Sequence, residues 1–223
     1  FFEMMVAMAY AAFADAPVDV AVVEVGMGGT WDATSVADPA VAVVTSIAID
    51  HAKFLGDTAV DIAHEKAGII KAGSRAVLGR QEDAVLEVLV RRAAEVAAPI
   101  AVEGRDFGVE SRLAAVGGQQ LTIQGISGRY EDILLPLHGE FQAHNAALAI
   151  AAVESFLGGR EIPIDVVREG LGAVTSPGRL EVVRRSPTVI VDAAHNPHGV
   201  QAMVDTITSE FTFSPLVGVV GIM

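Results

Sequence analysis

A chain of 223 residues, 52% of them apolar, has enough material for one large domain or for a medium domain and part of a second. Its 15 Lys and Arg against 28 Asp and Glu leave a net charge of -13, which opposes nonspecific attraction to a nucleic-acid strand, and no uninterrupted apolar run approaches the ~20 residues of a membrane span. With no cysteine and no secretory segment at its start, the chain has no disulfide framework and is expected to be soluble and cytoplasmic, with neither nucleic acid nor membrane as partner.

Short Val-rich runs alternate with amphipathic stretches, which predicts an α/β architecture: a mixed, mainly parallel sheet flanked by helices. In chain order, Phe1 to Asp15 reads as a helix, Val18 to Val25 and Val41 to Ile47 as buried strands, and Thr58 to Ile70 as a helix capped by Thr58 with Asp61 three residues on. A strand at Ala76 to Leu78 and a helix at Asp83 to Val96 follow. From Ile100 to Leu137 shorter runs punctuated by Gly117-Gly118, Gly125 and Ser127-Gly128 predict antiparallel strands added to the sheet. Helical periodicity returns at Gln142 to Leu157 and Ile164 to Ala173. The turn Thr175-Ser176-Pro177-Gly178 divides a first unit, 1–174, from a second, 175–223. There a strand at Val189 to Val191, a helix at His198 to Glu210 and a strand at Leu216 to Val220 predict one βαβ unit, the start of a Rossmann-like domain. Phe1 opens inside a helix-like run and Met223 follows a strand-like one, so both ends read as cut.

Three segments carry chemistry. Val20 to Val25 places Glu24 at the carboxyl end of an apolar strand and then runs into Gly26-Met27-Gly28-Gly29; the carboxylate is either paired with a nearby Lys or Arg or available to a ligand. A second strand runs into Asp50-His51. Ligands collect outside the carboxyl ends of strands in open α/β sheets, so Glu24 and His51 can converge on one crevice and offer oxygen and nitrogen to a divalent cation. Lys66, in Glu65-Lys66-Ala67-Gly68, falls on the apolar side of its helix between Ile62 and Ile69. It is either a snorkelling lysine or an amine that burial keeps neutral and reactive towards carbon dioxide.

The runs Glu24-Val25-Gly26-Met27-Gly28-Gly29, Asp32-Ala33-Thr34, Ser46-Ile47-Ala48-Ile49-Asp50-His51, Phe54-Leu55-Gly56-Asp57-Thr58 and Glu65-Lys66-Ala67-Gly68-Ile69-Ile70-Lys71 resemble, in order and spacing, the signature segments of folylpolyglutamate/dihydrofolate synthases of the Mur ligase superfamily. The resemblance implies a Mur-ligase-like central domain, magnesium on Glu24 and His51, and a carbamylated Lys66 at the metal site. Further on, His138 to Ala147 opens a helix with free backbone donors and is similar to the family segment whose asparagine, here Asn145, contacts adenine; read alone, Asn145 is equally an ordinary helix-start residue. Pro177-Gly178-Arg179 is similar to the segment whose arginine, here Arg179, reaches the ATP phosphates. Asp192 and His195 match residues of the interdomain catalytic cleft, with Asp192 also placed to cap the next helix.

These matches imply an ATP- and magnesium-dependent ligase that adds L-glutamate to a folate or dihydropteroate carboxylate through an acyl phosphate, and that is monomeric at full length. Three departures accompany them. No Gly-x-x-x-x-Gly-Lys-Ser/Thr phosphate loop occurs; the family carries it ahead of the part matched here, so the chain as given is expected to be inactive. Thr30 and Ser35 stand where the family has arginine and asparagine, and most of a C-terminal domain is missing. A Mur-type peptidoglycan ligase and a catalytically silent nucleotide-binding protein are the alternatives.

Overall fold

The computed structural model describes residues 1–16, 18–49 and 55–221. After a first helix, α1 (Phe2–Asp15), and a single 3-10 turn at Ala33–Val36, three parallel strands lie side by side in the order β1 (Val41–Val44), β2 (Arg75–Leu78), β3 (Ile100–Val102). The register sets Val43 beside Val77, and Val77 beside Ala101. The crossovers run through α2 (Ala59–Ala67) and α3 (Asp83–Glu95). The start of α2 is fixed by the expected capping box: the Thr58 hydroxyl accepts from Asp61 N–H at 3.1 Å, and the Asp61 carboxylate accepts from Thr58 N–H at 3.1 Å.

The two-residue period of β2 divides the interior. Ala76 and Leu78 join Ala63, Ala67, Val85 and Leu89 on the α2/α3 face, whereas Val77 turns to the opposite face, covered by α4 (Glu140–Phe156). This helix touches β1 and β2 on one side and a second sheet on the other. A helix covered on two sides must be apolar nearly all round, and its buried Ala143, Ala146, Ala147 and Ala151 let both sheets come close.

The second sheet is antiparallel, β4 (Gly108–Ala115), β5 (Gly118–Gln124), β6 (Arg129–Leu135), with α5 (Ile164–Gly172) against β6. The mixture of parallel and antiparallel strands is as expected, but the antiparallel ones form their own sheet rather than extending the parallel one. The reason is local. Ala115 pairs with Gly118 across a two-residue turn, and Gly117 at φ +83 and Gly118 at φ +155 fold β4 straight back onto β5, which uses up the ladder.

The two outer Val-rich runs also differ from expectation. Residues 18–25 and 216–220 form no ladder among the described residues, and Val22 and Val219 are 96% and 98% exposed. A strand needs a hydrogen-bonding neighbour as well as a β-forming composition. Residues 20–23 face Val41–Val43 across a cavity of about 650 Å³ instead of pairing with them. The expected βαβ unit is accordingly a hairpin, β7 (Glu181–Arg185) with β8 (Thr188–Val191), followed by α6 (Pro197–Glu210). No helix among the described residues is long and apolar enough to cross a membrane.

Candidate functional site

The glycine loop that follows Glu24 lies directly on the last turn of α2. A side chain at position 29 would run into the Glu65 carbonyl and stand 3.0 Å from Lys66 Cα, and one at position 68 would stand 2.7 Å from Thr30 Cα. Both glycines are therefore set by close approach of two backbones. Thr30 seals the junction: its N–H and its hydroxyl both donate to Glu65 O, at 3.0 and 3.2 Å, while the Ser35 hydroxyl donates to Gly29 O. Of the two positions that depart from the family pattern, Thr30 thus holds the loop to the helix and Ser35 ties the loop to the 3-10 turn.

Asp32 organises the same loop by accepting from Met27 N–H, Thr34 N–H and the Thr34 hydroxyl at 2.9, 2.9 and 2.6 Å. Desolvation works to raise its pKa, but these bonds together hold the carboxyl below the usual aspartate value. Lys71 reaches back from beyond α2 to donate to Ala37 O at 2.7 Å and to Ser35 O.

Of the expected metal ligands, Glu24 is exposed and Lys66 half-buried, and neither side chain has a hydrogen-bonding or ionic partner among the described residues. His51 lies outside the described residues. Among those described, no three or more His, Cys, Asp or Glu side chains form a group that could hold a metal. What the fold brings together is the loop after Glu24 and the turn that carries Lys66.

The carboxyl edge of the parallel sheet, where α/β proteins gather their ligands, is braced by two side chains that the sequence reading missed. Gln81, beyond β2, accepts from Ile47 N–H and donates to Thr45 O, both at 2.9 Å, and so shapes the loop leaving β1. Glu103, just beyond β3, has a side chain only 2% exposed; it accepts from Arg80 N–H at 3.1 Å and lies 2.5 Å from His144 Nδ1. The signal was present, since Val102-Glu103-Gly104 repeats the strand-carboxylate-glycine order of Val23-Glu24-Val25-Gly26.

The hydrogen bond that His144 makes to Glu103 raises its pKa above the ordinary value, aided by the Glu103 charge and a hydrogen bond to Glu140 and opposed by desolvation and Arg80. A raised folded-state pKa stabilises the fold fully below the unfolded value of about 6.5, and the gain is lost as pH climbs through the folded value. Thermal unfolding should therefore show stability falling as pH rises past about 6.5, and His144→Gln should flatten that fall. An unchanged profile in that variant would sink the assignment.

Asn145 is exposed on the second turn of α4, its amide donating to Gln142 Oε1 at 3.3 Å. Arg179 is exposed between two residues of positive φ, Gly178 at +70 and Leu180 at +49. Leu180 is buried, so the turn anchors on it and turns Arg179 outward, to line a cavity of about 630 Å³ with Leu137, His138, Pro177 and Phe211. Asp192 does not cap α6; Asn196 does, accepting from Gly199 N–H at 2.8 Å, as the proline that follows it prescribes. Asp192 instead accepts from Leu180 N–H at 2.9 Å and Ala194 N–H at 2.7 Å, tying the arginine turn to the end of β8. His195 follows on the same loop, its Nδ1 3.2 Å from Ala193 O. Arg179, Asp192 and His195 are thus gathered on adjoining loops.

The chain is similar in sequence and in fold to known proteins. The model of the Mur ligase middle domain matches residues 3–153, and that of the Mur ligase glutamate ligase domain matches 178–223. The dihydrofolate synthase/folylpolyglutamate synthase of Mycobacterium tuberculosis is 54% identical over all of this chain, which covers 47% of that protein; the folylpolyglutamate synthase of Lacticaseibacillus casei is 37% identical, again over all of the chain and 52% of the relative. The chain spans about half the length of the curated relatives it matches. A solved structure of the M. tuberculosis folylpolyglutamate synthase with ADP superposes with a TM-score of 0.92 at 56% identity, covering 95% of this chain and 48% of that one. An FPGS-AMPPCP-folate complex superposes with a TM-score of 0.91 at 36% identity, over 95% of this chain and 52% of that one. With its middle-domain match extending over more than half of its residues, the chain belongs to the Mur ligase family.

Proposed function

We propose that the protein is a cytoplasmic, monomeric ATP-dependent ligase joining L-glutamate to a folate or dihydropteroate carboxylate, with 1–174 as its nucleotide-binding unit and 175–223 as the beginning of its ligase unit. The observation that carries this reading is the seating of the Gly26–Thr30 loop on the Lys66 turn, which sets the loop after the exposed Glu24 carboxylate against a half-buried lysine. The names of the relatives favour the folate reading over a peptidoglycan ligase.

In the reaction, a substrate carboxylate oxygen bonds to the γ-phosphorus of ATP as the β–γ P–O bond breaks and ADP leaves. The glutamate amine then forms a C–N bond at the acyl carbon, loses a proton and expels phosphate. Glu24 supplies an exposed carboxylate with no partner among the described residues, the hard oxygen donor that Mg2+ prefers, and with His51 would hold it. Bound magnesium would neutralise phosphate charge. The Lys66 amine would add to carbon dioxide, releasing one proton and leaving an anionic carbamate as a further ligand or orienter. Arg179 would contact the phosphates and Asn145 the adenine, and Asp192 and His195 would sit in the cleft between the units. Positioning and charge neutralisation carry such a transfer.

The test is glutamate-dependent ADP release by the complete gene product, with dihydropteroate and tetrahydrofolate side by side. Turnover with at least one is expected, with Glu24→Ala lowering it by about a hundredfold or more, the scale of a lost charge-stabilising contact. Turnover that survives this substitution would remove Glu24 from the metal site.

A further inference from the structure

Away from the glycine loop, the last turn of α6 meets the loop that opens α4. Glu210 is the final residue of α6 and its side chain is only 4% exposed. Its Oε1 accepts from Gly139 N–H at 3.1 Å and from the Arg112 guanidinium, and its Oε2 lies 3.0 Å from His138 Nδ1. The next residue, Phe211, lays its ring against His138 with centroids 4.8 Å apart. Arg112 also donates to Gln119 Oε1 at 2.5 Å, and the wholly buried Gln119 amide donates to Leu137 O and Gly139 O at 2.9 and 3.0 Å. Gly139 itself, at φ +97, leaves no room for a side chain, since a Cβ would lie 2.9 Å from Thr206 Oγ1 on α6.

A carboxylate at the carboxyl end of a helix faces the negative end of the helix dipole, and burial adds a desolvation cost. Nothing in α6 offsets either. All three partners of the Glu210 carboxylate belong to the segment matched as the middle domain, whereas Glu210 belongs to the glutamate ligase segment. A residue disfavoured in its own helix and satisfied wholly by another unit is placed for the junction.

We infer that Glu210 is a positioning residue: through Gly139 it fixes the first turn of α4, and so ties the docking of the ligase segment to the placement of Gln142 and Asn145. Its consequence for nucleotide rests on the role proposed above for Asn145. Hydrogen exchange tests the latch on this chain, and ADP binding to the complete gene product tests the consequence. In Glu210→Ala, amides of 137–145 should exchange about tenfold faster or more, as for a segment whose local opening has become easier, while those of β8 and of the 124–132 hairpin keep their rates. Glu210→Gln, which keeps the shape and one acceptor oxygen, should give a smaller change in the same peptides and guards against a misfolded alanine variant. ADP dissociation constants should rise in the same order. Unchanged exchange at 137–145 in both variants would overturn the inference, as would faster exchange confined to α6. Faster exchange at 137–145 with unaltered ADP affinity would uphold the latch and count against the nucleotide role of α4.

Discussion

Glu154→Ala is expected to lower the unfolding free energy by about 4 kcal/mol, because it strips several charge-assisted hydrogen bonds from a buried site at once. The side chain is fully buried near the end of α4. It accepts from the N–H groups of Ile126, Ser127 and Gly128 at 2.6, 3.2 and 2.8 Å and from the Tyr130 hydroxyl at 2.7 Å. That hydroxyl also accepts from Ile162 N–H at 2.9 Å. Desolvation raises the Tyr130 pKa far above the ordinary tyrosine value; the bond from Ile162 works against this, and the bond to Glu154 and its charge add to it, so the phenol stays a donor. The β5–β6 turn is shaped to the carboxylate: a Cβ at Gly125 would stand 2.6 Å from both its oxygens. Alanine would leave three backbone donors and the phenol unmatched. Urea unfolding followed by circular dichroism measures the change, and a loss under about 1 kcal/mol would show that water replaces the carboxylate.

Gly29→Ala should damage function more than stability. The new methyl group would meet the Glu65 carbonyl and Lys66 Cα, both backbone, so no side-chain rotation relieves it. Overpacking of this kind costs about 1–3 kcal/mol. The loop would be pushed off α2, and misplacement by about 1 Å at such a site lowers turnover about a hundredfold. ADP release by the complete gene product would measure the effect. Gly170→Ala, inside α5 with nothing within 4 Å of the added carbon, is the matched control and should leave both properties intact. Equal activity in the two variants would mean that the seating of the loop on α2 is unimportant.

Local signals led to the right elements where the physics is local. Thr58 and Asp61 announced the start of α2, and the apolar periodicity of 83–96 and 142–157 marked two helices to within two residues at each end. The runs 18–25 and 216–220 misled because composition reports a preference for extended backbone and is silent on whether a neighbour is there to pair. Asp192 was read as a cap although Asn196-Pro197 carries the stronger signature. Glu154 and Glu210 join partners 24 to 98 positions away in sequence, so no spacing rule reveals them, and the motif that marks Glu103 does not point to His144, 41 positions on. Motifs in the glycine loop and in Glu65-Lys66-Ala67-Gly68 were legible, but their reason was not: the two segments are glycine-rich because they press on each other.

The helix shared by the two sheets has one more property. Glu154 ties α4 to the hairpin turn at one end, and His144 with Glu103 and Gly139 with Glu210 hold it at the other. From Asn145 to Glu154 is about 14 Å of helix at 1.5 Å per residue. A rod clamped at both ends can neither slide along its axis nor swing about one anchor. It behaves as a fixed strut, so Asn145, carried between the two clamps, keeps one position relative to both sheets.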